Sequence, residues 1–429
     1  MSSADRTRDR ITARIDKLVG GGRGRTHHDG NTWFVHGALP GERARIEPLR
    51  RRAGIVEARA IDIIDGHHQA REPEICPHAQ RCGGCDWPHV DPAQGAALKV
   101  AAAAEAVRPN RELAAAIAAA TISTSPPASR IRARLHWDPD RRRLGFYESR
   151  SHAVSVISGC RIVSPHLRSS LEALGNSLAA SVPTSVDLEW IEGSDPEQAV
   201  AALRPARGGP KRLDDRWIPR PNLLEGVVAG FHILDHRGAL RPGWGPPAVV
   251  FDLPIPLEVP IGAFFQGNKH LILPLFKRVA QLAGKATVPT YDLHAGVGFL
   301  AAAARFAGDR PLTLVEPNRI AARAAARNLP GARVEIGITA ELFLETRANR
   351  PKDAAVMTDP PRRGLSREQM TGLLKWRPKQ LLMLGCDAAT WSRDAGRLLR
   401  SGYVVRSIEL FDLFPHTHHV EILATLESE

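Results

Sequence analysis

Tyr291-Asp292-Leu293-His294-Ala295-Gly296-Val297-Gly298-Phe299-Leu300 carries an apolar strand end into a helix start through Gly-x-Gly. Ala286–Thr290 leads in as extended chain, and Ala301–Phe306 continues as an alanine-rich helix. That order is the first turn of a nucleotide-binding α/β sheet. Glycines let the backbone pass close to a ligand, and the helix N-terminus offers free N–H groups. The third glycine of the dinucleotide fingerprint is missing, so a pyrophosphate is not the implied guest. Taken alone, Gly-x-Gly is equally the mark of a plain tight turn.

Three later segments extend the sheet. Pro311–Glu316 is a second apolar strand ending in a carboxylate, 24 residues after Asp292, an offset suited to an acid on ribose hydroxyls. Ala354–Asp359 is another strand ending in an acid, followed by Pro360-Pro361-Arg362, and Gln380–Leu384 is a buried strand ending at Gly385-Cys386. Helical segments separate these strands, which predicts a mainly parallel sheet with its site at the strands' carboxyl ends. Asp292, His294, Glu316, Asp359 and Cys386 stand there. Tyr403–Leu410 and Val420–Leu426 are joined too briefly for a crossover helix, so they should form an antiparallel hairpin at one sheet edge.

The chain has 429 residues, enough for two or three domains, and a formal charge of +12. Only nine of its 58 basic residues are lysine. Arginine's planar fork suits phosphate, which points to a polyanionic partner; an arginine and alanine bias from GC-rich coding is the plain alternative. No run of 18 apolar residues occurs and Met1–Arg10 is polar, so no membrane span or signal segment is expected and the protein should be cytoplasmic.

Residues 1–66 hold 13 Lys or Arg. Strands are expected at Thr12–Leu18, Thr32–Val35, Glu42–Glu47 and Ile55–Ile64, with turns at Gly20-Gly21-Gly22, Gly37 and Pro40-Gly41. Short strands at this spacing imply a small barrel of OB type, a common RNA platform as well as a purely structural unit. Cys76-Pro-His-Ala-Gln-Arg-Cys82-Gly-Gly-Cys85 comes next, and Cys160 is the only other cysteine before the sheet. Four thiolates suit zinc and an iron–sulfur cluster alike, and the spacing does not separate the two. Asp91–Ile122 reads as helix with a break near Pro109. Ser129–Leu135 alternates basic and apolar residues as a half-buried strand does, with Ser151–Ile157 as its partner. Its Arg130 and Arg132 could lie along a nucleic-acid backbone or simply edge the sheet. Ala206–Pro210 and Arg241–Pro247 read as loops. Gln266 and Asn268, in Ala263-Phe-Phe-Gln-Gly-Asn268, suit either ligand contacts or a helix cap.

With these motifs in order, the chain resembles the bacterial RNA uridine-5-methyltransferases that act on ribosomal or transfer RNA. The resemblance rests on the Cys76–Cys85 set with distant Cys160, on Phe265-Gln266-x-Asn268, and on Asp359-Pro-Pro-Arg362-x-Gly364. The Cys386 loop and Phe414-Pro-x-Thr417-x-His419-Val-Glu421 complete it. It implies a TRAM-like barrel at 1–66 and a central mixed domain at 67–262 whose cysteines hold a [4Fe–4S] cluster, its helical part 91–122 able to pack on the catalytic domain. A class I, Rossmann-like methyltransferase domain is implied at 263–429. S-adenosylmethionine is then expected on Gly296 and Gly298, with Glu316 at its ribose and Gln266, Asp292, His294 and Asp359 nearby. Cys386 becomes the nucleophile toward carbon 6 of uracil and Glu421 the base that removes the proton from carbon 5. Arg130, Arg132 and Arg362 are expected at RNA, with the target base flipped out of its stack.

The chain departs from the family's pattern in two places. His294-Ala295 replaces an aromatic and a Cys, and Gly385-Cys386-Asp387-Ala388 replaces Ser-Cys-Asn-Pro. The Asp387 charge beside the thiol is expected to oppose thiolate formation. A monomer acting on large-subunit ribosomal RNA is the favoured reading, with transfer RNA or a catalytically degenerate RNA-binding protein as alternatives. A radical iron–sulfur enzyme would need C-x-x-x-C-x-x-C, which is not the spacing here.

Overall fold

The computed structural model describes residues 10–73, 76–285, 287–347 and 350–429. Its first sheet is formed by β1 (Ile11–Arg14), β2 (Lys17–Val19), β3 (Arg23–His28), β4 (Asn31–His36), β5 (Arg43–Arg52) and β6 (Ile55–Asp65), in the order β1-β5-β6-β4-β3-β2. The single strand expected at Thr12–Leu18 is two. Ile15 N turns inward to donate to Glu42 O and Asp16 N to Arg25 O, which breaks the run. The two edge strands are therefore consecutive in the chain, joined through Ile15 and Asp16. Trp33, Val35, Ala44, Ile46, Val56 and Ala58 alternate into its core. β3 is an addition to the expected strands, because arginines and histidines occupy its outward positions while only Gly24 and Thr26 turn in.

The expected helix at 91–122 is α1 (Pro92–Ala106) and α2 (Arg111–Ala118), and the break near Pro109 is present. Asp91 caps α1 by accepting from Ala93 N and Gln94 N, and Asn110 caps α2 through Leu113 N. The helical reading overruns its end, since Thr121–Thr124 is a strand, β7. A seven-stranded sheet comes next: β8 (Arg132–Asp138), β9 (Arg143–Tyr147), β10 (Val154–Val156), β11 (Val186–Ile191), β12 (Val200–Pro205), β13 (Gly230–Leu234) and β14 (Leu240–Trp244), with α3 (Pro165–Ser181) across it. Its order is β10-β9-β8-β11-β12-β13-β14. The pairing expected between 129–135 and 151–157 is not made; β9 lies between them. Gly145 permits this, since a Cβ there would meet Ser155 O at 1.9 Å. Residues 241–247, expected as loop, begin as β14, whose Pro242, Gly243 and Gly245 disguise an irregular edge strand. A ribbon, β15 (Ala248–Phe251) with β16 (Leu257–Pro260), leads onward.

The third sheet contains the opening decapeptide. Its elements are α4 (Ile272–Ala283), β17 (Thr290–Asp292), α5 (Phe299–Ala307), β18 (Leu312–Glu316), α6 (Arg319–Asn328), β19 (Arg333–Ile336), α7 (Ala340–Thr346), β20 (Ala355–Thr358), α8 (Arg367–Trp376), β21 (Gln380–Gly385), α9 (Ala388–Leu399), β22 (Tyr403–Asp412) and β23 (Glu421–Ser428). Ala286 of the expected lead-in lies outside the described residues, and the strand itself begins at Thr290. Strand order is β19-β18-β17-β20-β21-β23-β22-β7, parallel from β19 to β21 and antiparallel around β23. Helices cover both faces, which is why Leu381-Leu382-Met383-Leu384 is buried without alternation. The β22–β23 hairpin forms, but it is not the edge: β7 arrives from the middle of the chain and pairs parallel to β22. Leu113 and Ile117 of α2 share one apolar cluster with Leu381, Met383, Leu410 and Leu426. Among the described residues no helix is long and apolar enough to cross a membrane.

Candidate active site

Parallel strands place their carboxyl ends on one side. Asp292 ends β17, Glu316 ends β18, Asp359 follows β20 and Cys386 follows β21. Glu421 joins them from the other direction, because β23 is antiparallel to β21 and its first residues lie in register with Gly385.

The Gly296 and Gly298 turn has φ of 53° and 94°, the left-handed region that favours glycine. A Cβ on Gly298 would also press on Leu329 at 3.0 Å, whereas Gly296 faces open space apart from Phe264 O. Glu316 holds this turn: its Oε2 accepts from Gly296 N (2.8 Å) and its Oε1 from Asn318 N (2.7 Å). Burial still raises its carboxyl above the usual range. Asp292 is 1% exposed, and its Oδ2 has no hydrogen-bond partner. Burial, assisted by Asp359 and Glu316, pushes that carboxyl up to about 8.

His294 is engaged within the protein. Gln369 accepts from Ser366 N through its oxygen, so its amide nitrogen donates to His294 Nε2 (3.1 Å). His294 Nδ1 then carries the proton and donates to Thr358 Oγ1 (2.7 Å). Burial pushes the imidazole down to about 4, which keeps it neutral. This histidine serves as a half-buried ring with both polar atoms paired, and Thr358 and Gln369 are partners that sequence reading missed. Gln266 donates to Asp359 Oδ2 (3.2 Å). Asn268, fully buried, caps the approach to α4 through His270 N and Leu271 N and donates to Leu413 O (2.8 Å), so it serves the fold.

Around Cys386 the charges are opposed. Burial, then Glu421 and Asp359, push the thiol up to about 12, against the Arg362 guanidinium. Asp387, expected to oppose the thiolate, instead turns its carboxylate onto Thr390 N (2.8 Å) as the cap of α9. Glu421 is 4% exposed with Oε2 unpartnered, and burial beside Asp359 raises it well above the carboxylate range. Asp359 is pushed up to about 7 by burial. Pro360, Pro361, Arg362, Gly385 and Trp391 line the crevice at the thiol. Phe264, 59% exposed beneath the Arg132 guanidinium (5.5 Å), is another residue the sequence reading passed over. An exposed aromatic beside an arginine is a surface on which a nucleobase can stack.

A model of the tRNA (uracil-5-)-methyltransferase family matches residues 347–429, which contain Asp359, Cys386 and Glu421. A 23S rRNA (uracil(1939)-C(5))-methyltransferase RlmD of Alkalilimnicola ehrlichii is 30% identical, the alignment covering 95% of this chain and 94% of that protein. A Streptomyces avermitilis RNA methyltransferase is 31% identical over 93% of both chains. The chain belongs to the RNA uracil-5-methyltransferase family. It is therefore an S-adenosylmethionine-dependent enzyme of that class. A crystal structure of the Pyrococcus abyssi tRNA (uracil-54, C5)-methyltransferase with S-adenosyl-L-homocysteine superimposes over 97% of this chain and 99% of that one, with a TM-score of 0.74. At 20% identity that likeness speaks to the fold.

In this methyltransferase the remaining expected site residues lie farther out. All five cysteines are free. Cys82 and Cys85 pack against the apolar cluster that contains Cys160, and the thiols of Cys76, Cys82, Cys85 and Cys160 lie within electrostatic reach of one another. Gly84 N donates to Cys82 Sγ (3.4 Å), and a Cβ at Gly83 would meet Tyr147 O at 3.0 Å. Among the described residues no three Cys, His or acidic side chains converge as metal ligands. Arg130 lies half-buried beside these thiols, its guanidinium over the Phe146 ring (5.8 Å). Arg362 is exposed, near His419.

Proposed function

We propose that this enzyme methylates carbon 5 of a uridine in large-subunit ribosomal RNA through a covalent bond between Cys386 and carbon 6. The supporting observation is that Cys386 and Arg362 line one crevice at the end of β21, with the Glu421 carboxyl close enough to act on the thiol. Carbon 5 of uracil is a poor nucleophile. Sulfur adding to carbon 6 makes an enolate whose carbon 5 would displace the methyl from the sulfonium of S-adenosylmethionine, the methyl–sulfur bond breaking to leave neutral S-adenosylhomocysteine. The proton on carbon 5 then leaves, the carbon–sulfur bond breaks, and the thiolate departs. A carboxyl raised toward neutrality is a stronger base when ionised than an ordinary one, which suits Glu421 to that proton and Asp359 to the thiol's. Asp292, Glu316 and Asp359 present acids toward a cationic substrate on the Gly296–Gly298 turn, while Gln266 orients Asp359. His294 supports that wall of the site.

Residues 1–66 act as a TRAM-like RNA platform, 67–262 as the cysteine-bearing part and 263–429 as the catalytic part. Arg132 and Arg362 sit where a flipped base and its phosphates would enter, with Arg130 held further inside. The four thiols, within electrostatic reach of one another and with a backbone N–H already on one sulfur, suit a [4Fe–4S] cluster by donor chemistry, so Cys76, Cys82, Cys85 and Cys160 would be drawn together to hold it. Bound there, it would supply a structural brace.

The test uses ribosomal and transfer RNA from cells lacking the protein, with methyl-labelled S-adenosylmethionine. Label is expected in large-subunit RNA, and label confined to transfer RNA would move the substrate there. Cys386→Ala should abolish labelling while S-adenosylmethionine still binds. Glu421→Gln should trap a labelled protein–RNA adduct that survives denaturing electrophoresis. Turnover by Cys386→Ala would overturn the covalent route.

A further inference from the structure

Helix α1 lies outside the catalytic domain in sequence, yet it sends one side chain into the loop that precedes Glu421. Lys99 is 2% exposed. Its ammonium has three N–H donors, and all are used: Asp412 Oδ1 at the end of β22, Phe414 O (2.9 Å) and His419 O (3.1 Å). One nitrogen thus ties both limbs of the loop between β22 and β23. His419 O is the last of these anchors, two residues before Glu421. Burying an ammonium is expensive, and a well-packed apolar side chain could brace a helix against a sheet at less cost. An apolar side chain could not, however, fix two carbonyls and a carboxylate at once.

We propose that Lys99 is a positioning residue for the base: it sets the loop geometry that aims the Glu421 carboxyl at carbon 5. The inference rests on the covalent reading above. Cys386 is held differently, at the end of β21 beside α9, whose cap is Asp387. Losing Lys99 should therefore affect the two halves of the reaction unequally. Sulfur addition and methyl transfer, which depend on Cys386, continue. Removal of the carbon 5 proton, which depends on Glu421, slows, and the methylated RNA stays bonded to sulfur.

The experiment compares full-length wild type, Lys99→Met and Glu421→Gln on the RNA that wild type methylates, after thermal melting has verified folding. Lys99→Met, Asp412→Asn is included because it also removes the orphaned acid, so a variant without a buried unpaired charge is available if the single one does not fold. Single-turnover labelling reports methyl transfer, and the decay of the denaturation-resistant adduct reports release. For either Lys99 variant we expect methyl transfer within about threefold of wild type and an adduct lifetime lengthened at least about tenfold, toward that of Glu421→Gln. A folded Lys99 variant whose adduct decays at the wild-type rate overturns the proposal. So does equal slowing of both halves, which is what general destabilisation would give. If Glu421→Gln traps nothing, Glu421 is not the base and the role of Lys99 falls with it, while turnover by Cys386→Ala is the result that removes the covalent reading itself. If Glu421→Gln traps while the Lys99 variants do not, only the positioning role fails.

Discussion

Asp292→Asn offers a test of the site's electrostatics that needs no RNA. In the folded protein the Asp292 carboxyl is pushed up to about 8 from an ordinary value of 3.8, with burial as the main cause. The sign comes from linkage. Below about pH 4 the group is protonated folded and unfolded, and costs nothing. Between about pH 4 and 8 the unfolded chain ionises while the folded one does not, so folding loses about 1.4 kcal/mol per pH unit, some 4 kcal/mol by pH 7. The amide has the same shape but never ionises, so it escapes that loss. It does bring an NH₂ to the position where Oδ2 has no partner, at a cost of about 1–3 kcal/mol independent of pH. Asp292→Asn should thus be less stable than wild type near pH 4 and more stable, by about 1–3 kcal/mol, near pH 7. Urea unfolding of both proteins at pH values from about 4.5 to 8 reads the difference. Saturating S-adenosylmethionine should narrow the gap at neutral pH, because a cation beside the carboxylate returns its pKa toward normal. A stability difference that does not change with pH would refute the account.

Two further outcomes concern other parts of the molecule. Protein purified without oxygen should contain about four irons with matching sulfide, and Cys85→Ala should lose both and melt at lower temperature; stoichiometric zinc in place of iron would remove the cluster. Arg50 and Arg52 are exposed on β5, so replacing both with Gln should weaken RNA binding and reduce the slope of log affinity against log salt by about 1.4–1.8. An unchanged slope would take this face away from the RNA.

The catalytic sheet was legible because burial on both faces writes continuous apolar runs, as in Gln380–Gly385, and because its strands end at chemically distinctive residues. Illegible were the strands whose burial is partial. Arg333–Ile336 is a charged edge, and Leu240–Trp244 is interrupted by proline and glycines. Which charges face the thiol was also hidden. Asp387, adjacent in sequence, turns away to cap a helix, while Asp359 reaches Cys386 from the parallel neighbour β20 and Glu421 only because an antiparallel strand is inserted beside β21. Spacing showed four cysteines, but it could not show that Arg130 would join them. A lone lysine in an alanine-rich helix gives no sign of partners 313 to 320 residues away.

That separation has a consequence for synthesis. At about 5–20 residues per second, roughly 15–60 s pass between the making of Lys99 and of the carboxylate that neutralises it. Until then the ammonium belongs in water, and β7 has no strand to join, because β22 is its neighbour in the sheet. The apolar side of α2, with Leu113 and Ile117, has to wait as well, since Leu410 and Leu426 of its cluster are still unmade. The segment from α1 to β7 is thus translated early and docked late. For that interval it is a stretch of nascent chain that a chaperone would shield to advantage.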